Sequence, residues 1–199
     1  RFLSRNKSEA IDIAKKIVLA SQFAKQDPYR ASTHNKGIFN GIDAVVLATG
    51  NDWRAIEAGA HAYASRNGSY QGLTTWSIKE VTQTLCGEIT LPLPIATKGG
   101  SIGLNPTVEV SFDLLKQPTA KELASIIASI GLAQNFAALK ALVSTGIQHG
   151  HMKLQAKSLA LLAGAKDTEI ALLVSQLISE KHFSFKRAQE ILEDFRQKS

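Results

Sequence analysis

The sequence contains a single cysteine, no long apolar run and few aromatic residues. Cys86 has no partner for an internal disulfide, so we expect a buried structural thiol in a cytoplasmic protein. No eighteen consecutive apolar residues occur, which predicts that no segment spans a membrane. We assign no metal site.

The first residues lack both an initiator methionine and the apolar stretch of a signal peptide. We therefore expect a fragment or a processed chain. Its 199 residues are 44% hydrophobic and 20% charged, which is the composition of a folded globular protein.

The net charge of +6 is concentrated near the start of the sequence. Residues 1–36 hold eight Lys or Arg against three Asp or Glu, which gives +5. Such an excess attracts nucleic acid. However, aromatic residues do not alternate with these bases and no nucleic-acid-binding signature is present, so we predict no nucleic-acid partner. An anionic small substrate, or an acidic surface elsewhere in a longer protein, explains the bias equally well.

Hydrophobic periodicity predicts an α+β fold that is mostly helical. We expect a buried helix hairpin, a small antiparallel sheet and a C-terminal three-helix lid. Around Gly146–Gly150 the composition changes, which predicts a hinge between residues 1–147 and a helical unit at 148–199. The predicted elements are a helix to about Lys25, the hairpin at about 34–65, strands at 73–81 and 84–93, and helices at about 106–116, 120–130, 132–147, 151–162, 167–179 and 184–196.

The predicted hairpin gathers a lysine, an amide and a carboxylate. Lys36 and Asn40 are four residues apart and share a helix face. Asn51 is the predicted N-cap of the second helix, and Asp52 lies in its first turn, where the helix dipole favours the ionised form. A lysine and an aspartate at helix ends often form a surface pair of little consequence, so the pattern alone leaves a structural role open.

Two further features flank these groups. Gly37 and Gly41, four residues apart, would let another backbone approach the first helix closely. Asp27-Pro28 is predicted to leave Arg30 on a loop, where its guanidinium could fork onto a carboxylate. We expect His61, in the second helix, to be a hydrogen-bonded core histidine rather than a ligand.

Three motifs give the sequence a family resemblance. His34–Asp43, Ala48–Ala64 and Gly150–Leu154 are similar to segments of the class II, bacterial 3-hydroxy-3-methylglutaryl-coenzyme A (HMG-CoA) reductases. The similarity runs over essentially the whole chain but covers only the C-terminal half of that family's polypeptide. The resemblance implies that residues 1–147 are part of a catalytic large domain and that 148–199 form a flap.

The resemblance also implies an activity of the mevalonate pathway. Enzymes of this family reduce HMG-CoA in two hydride transfers to mevalonate and free coenzyme A, or run the reverse reaction. Lys36 would stabilise the oxyanion, Asp52 would hydrogen-bond Lys36, and His151 would protonate the coenzyme A thiolate. The residues expected to bind substrate are Arg30, which would hold its free carboxylate, Asn40 and Gln134.

Several positions depart from the family pattern. His149 and Gln155 differ from its usual residues around His151, and we assign neither a role. Ala96 and Lys98 replace a glycine and a valine of a Gly-rich signature. The catalytic glutamate motif and the nicotinamide-binding motif of the family have no counterpart here, so we expect the NADPH or NADH site to lie mostly outside this chain and the chain alone to be inactive.

The family places its site at a dimer interface, so we expect a homodimer or pairing with a missing half. Two other functions stay open at this point. One is a non-enzymatic binding or assembly fragment of the same fold. The other is a basic nucleic-acid-binding module.

Overall fold

A computed structural model describes residues 3–100, 102–144, 147–180 and 182–197, with the backbone alone at 147–151. It is an α+β fold dominated by helices, as the sequence predicts. Two antiparallel strands form its sheet within this range. The elements are α1 (Lys7–Gln26), α2 (Pro28–Ala48), α3 (Trp53–Ala64), β1 (Thr74–Lys79), β2 (Thr84–Ile89), α4 (Pro106–Leu114), α5 (Ala120–Val143), α6 (Ile147–Leu162), α7 (Asp167–Glu180) and α8 (Phe185–Gln197).

The chain forms two compact units, Arg1–Ser144 and Thr145–Ser199. In the first unit α2 packs along α5, with α1 and the β-hairpin beside them. In the second unit α6, α7 and α8 enclose a separate apolar core. Whether these units are the predicted catalytic portion and flap stays a prediction.

A sharp junction separates α1 from α2. The Asp27 backbone N–H donates to Phe23 and ends α1, while its side chain accepts from the Arg30 N–H and caps α2. Pro28 occupies the first turn of α2, where its missing N–H costs no hydrogen bond. The prediction that Arg30 lies on a loop is therefore wrong, because the same Pro that ends one helix begins the next.

The elbow between α2 and α3 differs from the prediction by one residue. Gly50 has φ +68°, the left-handed conformation expected of a glycine after a helix. Asp52, not Asn51, is the N-cap of α3, and its carboxylate accepts from the Arg54 and Ala55 N–H groups. Asn51 instead bonds a distant loop, which no local sequence signal indicates.

α5 is one continuous helix, so the predicted break near Gly131 is wrong. A Cβ on Gly131 would lie 2.8 Å from the Ile42 side chain, which shows that this glycine admits α2 rather than ending a helix. The predicted close approach at Gly41 is confirmed, since a Cβ there would lie 3.2 Å from the Ile130 carbonyl oxygen. Gly37 is less constrained, with its nearest neighbour at 3.9 Å.

By length and composition alone, α5 also qualifies as a candidate membrane span. Its buried residues, among them Leu123, Ile127 and Leu139, pack into the core of the first unit. Core helices of soluble proteins pass the same test, so this is weak evidence for a membrane.

The two strands pair in the predicted antiparallel sense, with Trp76 opposite Gly87. A Cβ on Gly87 would lie 2.6 Å from the Trp76 ring, so only glycine leaves room for the indole. In the second unit, α6 begins at Ile147, so the predicted hinge residues 147–150 are helical. Gly146 lies outside the described residues.

Candidate active site

A polar cleft of about 540 Å³ lies between α2 and α3. Its two walls come from successive turns of an antiparallel helix pair, which face each other because the elbow reverses the chain. It is lined by Ser32, Lys36, Phe39, Asn40 and Asp43 of α2, Glu57 and His61 of α3, and Tyr70. The cleft therefore collects an amine, an amide, two carboxylates, an imidazole and a phenol.

Lys36 and Asn40 are both exposed and lie one turn apart along this cleft. Ile38 and Ile42 on the opposite face of α2 are fully buried, which fixes the rotation of the helix. The predicted shared face of Lys36 and Asn40 is thus confirmed.

Asp43 and Glu57 face each other from α2 and α3, and neither had been singled out from the sequence. Burial of Asp43, the nearby Glu57 charge and a hydrogen bond with the Glu57 side chain raise the pKa of Asp43 to about 6. One oxygen of Asp43, Oδ1, is buried and lacks a hydrogen-bond partner among the described residues. This arrangement favours the protonated form of Asp43.

His61 is exposed, so the expectation of a core histidine is wrong. Its Nδ1 lies 2.8 Å from the Tyr70 hydroxyl, and its ring lies 5.1 Å from that of Phe39. The Ala-rich sequence around His61 favoured burial, but α3 turns this position towards the cleft.

Asp52 lies at the other end of the hairpin. It borders a separate cavity of about 390 Å³ formed by residues 50–54. Its carboxylate accepts from Arg54 Nε at 3.1 Å, and this bond leads the contacts that lower the pKa of Asp52. Twelve residues separate Lys36 from the end of α2, roughly 18 Å along the helix axis.

The expected contact between Lys36 and Asp52 is therefore absent within this chain. No hydrogen bond or ion pair of the described residues joins them, and both side chains are exposed. The expectation of a buried pair is wrong, because the elbow places Asp52 as a helix cap that binds Arg54.

Arg30 and Gln134 are not among the residues that line the cleft between α2 and α3. Arg30 Nη1 donates to Thr33 Oγ1 at 2.8 Å, and partial burial lowers the pKa of Arg30. Thr33 was missed from the sequence, although its spacing of three from both Arg30 and Lys36 places it on the same face. Gln134 is exposed in mid-helix, not at a helix start, and its Cβ is 3.0 Å from where a Gly41 Cβ would lie.

A buried polar cluster supports α2 from behind. His34 Nε2 lies 2.6 Å from Thr74 Oγ1, and Thr74 donates to Asn135 Oδ1 at 3.0 Å. Trp76 Nε1 donates to the same Asn135 oxygen at 2.8 Å.

A second hydrogen bond holds α2 next to the start of β1. Asn35 Oδ1 accepts from the Leu73 N–H at 2.9 Å. The helix that carries Lys36 is thus tied to β1 and α5 by side chains one and two residues before it.

This cluster keeps His34 neutral. Burial, with further contributions from Arg30 and Lys25, lowers the pKa of His34 to about 4. Its Nδ1 is buried without a hydrogen-bond partner among the described residues. A charged imidazole is therefore strongly disfavoured at this position.

The Gly-rich loop after β2 is attached to the elbow. Asn51 Oδ1 accepts from the Ala96 N–H at 2.8 Å, and Asn51 Nδ2 donates to the Ala96 carbonyl at 3.1 Å. Gly99 and Gly100 in this loop have positive φ.

One predicted site residue, His151, cannot be placed beyond its backbone. His151 lies in α6, but its side chain falls outside the described part of the structure, as does that of His149. In the described ranges no group of three His, Cys, Asp or Glu residues could hold a metal ion. The two-stranded antiparallel sheet also contains no strand–helix–strand crossover of the kind that binds a dinucleotide in the Rossmann fold, so these residues do not supply such a site.

Comparison with known proteins identifies the family. The profile of the hydroxymethylglutaryl-coenzyme A reductases matches residues 3–156. A solved 3-hydroxy-3-methylglutaryl-coenzyme A reductase from Streptococcus pneumoniae is 69% identical, with a TM-score of 0.72 over 98% of this chain and 46% of its own. Another structure of that organism's class II enzyme, bound to NADPH in open conformations, has the same identity and TM-score.

Curated relatives agree with these structures. The reductase of Archaeoglobus fulgidus is 46% identical over 185 residues, which are 93% of this chain and 42% of that protein. A probable reductase of Borreliella burgdorferi is 39% identical over 200 residues, 98% of this chain and 46% of that protein. The chain thus spans less than half the length of these relatives. It belongs to the hydroxymethylglutaryl-coenzyme A reductase family.

Proposed function

We propose that this chain is part of a class II reductase that converts HMG-CoA and two equivalents of NADPH or NADH into mevalonate and coenzyme A, or catalyses the reverse reaction. The observation that carries the proposal is the cleft in which Lys36 and Asn40 stand one turn apart on a helix held by a buried polar cluster. Both residues belong to the segment that matches the family.

Lys36 is the group that stabilises the oxyanion. Hydride addition to the thioester places negative charge on the carbonyl oxygen, and a preorganised ammonium lowers the energy of that state. Asn40, one turn further along α2, orients the substrate or Lys36. The rigid backing of α2 supports this role because catalytic groups must be held within a fraction of an ångström.

Arg30 is proposed to bind the free carboxylate of the substrate. Its Nη1 already donates to Thr33, which fixes the guanidinium beside the Lys36 face. A guanidinium matches a carboxylate in two parallel hydrogen bonds, which a lysine cannot make. Gln134 of α5 lies beside Gly41, one residue after Asn40, and is proposed to contact the substrate near Asn40.

Asp52 is proposed to act across an interface. Its exposure and its distance from Lys36 within one chain are consistent with a second surface that brings an acidic group to Lys36. We infer that a second copy in a homodimer brings its own Asp52 to Lys36. If the surface instead belongs to the part of the polypeptide that this chain does not cover, a different acidic group takes this role. The same surface would enclose the cleft, which is now open to solvent.

The remaining parts of the reaction lie beyond the described side chains. His151 is proposed to protonate the departing coenzyme A thiolate, carried by residues 148–199 acting as a lid over the site. The hydride donor is proposed to bind mainly outside this chain, in a cytoplasmic enzyme. A structural relative bound to NADPH supports the choice of a nicotinamide cofactor.

The test uses a full-length polypeptide, made by joining this chain to the part of the S. pneumoniae relative that it does not cover. Lys36→Ala is expected to lower kcat by roughly 100-fold or more, the usual loss for one oxyanion donor. Lys121→Ala, an exposed lysine on α5, is the control. HMG-CoA-dependent oxidation of NADPH within threefold of the parent would contradict the proposal and favour a non-enzymatic assembly fragment.

A second measurement tests whether activity requires polypeptide other than this chain. The 199-residue chain alone is expected to form no mevalonate from HMG-CoA and NADPH or NADH. Substantial mevalonate formation by this chain would show that the cofactor site and all proton donors are present in it.

A further inference from the structure

The cleft contains one feature that the proposed reaction does not use. Asp43 and Glu57 form a carboxyl pair on its two walls, on α2 and α3. Asp43 is seven residues after Lys36, two helical turns, and therefore lies on the same face of α2. Two carboxyl groups beside a site for an anionic substrate need a physical explanation.

The geometry indicates a shared proton. Asp43 and Glu57 line the same cleft, and the pKa of Asp43 is raised by burial, by the Glu57 charge and by a hydrogen bond between the two carboxyl groups. Two ionised carboxylates have no hydrogen to donate, so this bond exists only when one group is protonated. The orphaned Oδ1 of Asp43 supports the same state, because a buried carboxylate oxygen without donors is disfavoured when charged.

The other titratable groups of the cleft set the charge around the pair. Lys36 on α2 contributes one positive charge, while His61 on α3 and Tyr70 are bonded to each other. With one shared proton the pair carries a single negative charge, which Lys36 balances. When that proton leaves, the described cleft walls carry a net negative charge.

We propose that Asp43 and Glu57 are specificity-determining residues whose shared proton controls how strongly the cleft binds an anionic acyl substrate. This inference rests on the proposed function, because it takes HMG-CoA as the ligand. In the protonated state the cleft accepts the substrate carboxylate and the developing oxyanion. In the fully ionised state an added negative charge repels both.

The pH range follows from the pair itself. The pKa of Asp43 is raised to about 6, so the shared proton is held below that pH and lost above it. The KM for HMG-CoA is therefore expected to rise as pH increases through 6. At a separation of about 10 Å, one added charge near a protein surface changes affinity roughly tenfold.

The test measures KM and kcat for HMG-CoA between about pH 5 and pH 8 in the joined full-length polypeptide. Glu57→Gln removes one charge but keeps the shape of the side chain, so its KM is expected to stay at the low-pH value throughout. At high pH the kcat/KM of Glu57→Gln is therefore expected to exceed that of the parent, because its KM is lower. Asp12→Asn, an exposed aspartate on α1, is the control and should keep the parent's pH profile.

Two variants keep the inference falsifiable. Asp43→Asn is expected to flatten the pH dependence of KM in the same way, so one variant that folds is sufficient. A rise of KM with pH that persists in Glu57→Gln or Asp43→Asn would overturn the inference, because its source would lie elsewhere. Failure of the proposed function gives a different pattern, in which Lys36→Ala keeps activity.

Discussion

The two compact units are stabilised in different ways. The first unit buries polar side chains in its interior, including His34, Asn35 and Asn135, in contact with the helix that carries Lys36. The second unit has an interior in which every described buried residue is apolar, and its charged pairs lie at the surface. Buried polar groups orient a helix in one way, because each must find its partner, whereas an apolar core tolerates small shifts. The unit whose helices are more precisely oriented is therefore the one that contains the candidate site.

The strongest test of this comparison removes the centre of the buried cluster. Asn135→Ala leaves the Thr74 hydroxyl and Trp76 Nε1 without their acceptor and opens a cavity. We expect the free energy of unfolding of the first unit to fall by about 3 kcal/mol, since a buried polar group without a partner costs about 1–3 kcal/mol. The measurement is urea denaturation of the 199-residue chain, followed by tryptophan fluorescence because both tryptophans lie in this unit.

Gln134→Ala provides the matched control for Asn135→Ala. The neighbouring amide is exposed on the same helix, and its removal should change stability by less than about 0.5 kcal/mol. Equal losses in both variants would show that the buried cluster contributes nothing special to the first unit.

A second test uses the pH dependence of stability, which His34 gives to the first unit. The pKa of His34 is lowered to about 4 in the folded protein, against an ordinary value of 6.5, so below pH 6.5 the unfolded chain binds a proton that the folded chain does not. Stability of the first unit is therefore complete above pH 6.5 and falls as pH decreases towards 4, by about 3 kcal/mol.

The comparison for this pH effect is His34→Gln. Gln keeps a hydrogen-bonding group but does not titrate, so the part of the pH dependence between 6.5 and 4 that is due to His34 should vanish. The measurement is the urea midpoint at several pH values. An unchanged slope in the variant would contradict the assignment of this proton uptake to His34.

The smallest effect is expected at the surface of the second unit. Arg196 donates to both carboxylate oxygens of Glu169, at 3.0 and 2.9 Å, and also to the Gly164 carbonyl. Arg196→Ala should lower the Tm slightly at low salt and less at high salt, because Arg196 is exposed and dissolved ions screen its attraction to Glu169. Lys186→Ala, elsewhere on α8, is the control. A large loss independent of salt would show that this unit also relies on polar contacts for its core.

The sequence predicted the helices and strands best where their signals are local. Asn6 caps α1, and the Thr119–Glu122 capping box begins α5, because both use side chains within one turn of the helix start. The antiparallel strand pair follows from two short β-rich segments joined by a turn. The helical second unit was likewise predicted from its periodicity.

Predictions failed where distant residues decide the outcome. Gly131 has the local signature of a helix break, yet α5 continues because α2 needs the space that its missing side chain leaves. The site shows the same limit. The shared face of Lys36 and Asn40 follows from a spacing of four, whereas the pairing of Asp43 with Glu57 depends on how α3 folds back on α2. The predicted contact of Lys36 with Asp52 failed because Asp52 caps α3 and binds Arg54.

The double hydrogen bond of Asn51 to Ala96 has a consequence for how this protein can vary. The Asn51 side chain makes the two hydrogen bonds to the Ala96 backbone that a neighbouring strand would otherwise make. The segment after β2 is therefore held in position although it forms no helix or strand. The exposed side chains of that segment can then diverge, whereas Leu91, Leu93 and Ile95 pack against the core and must stay apolar. Proline at position 96 would remove one of these two hydrogen bonds, because it has no N–H to donate to Asn51 Oδ1.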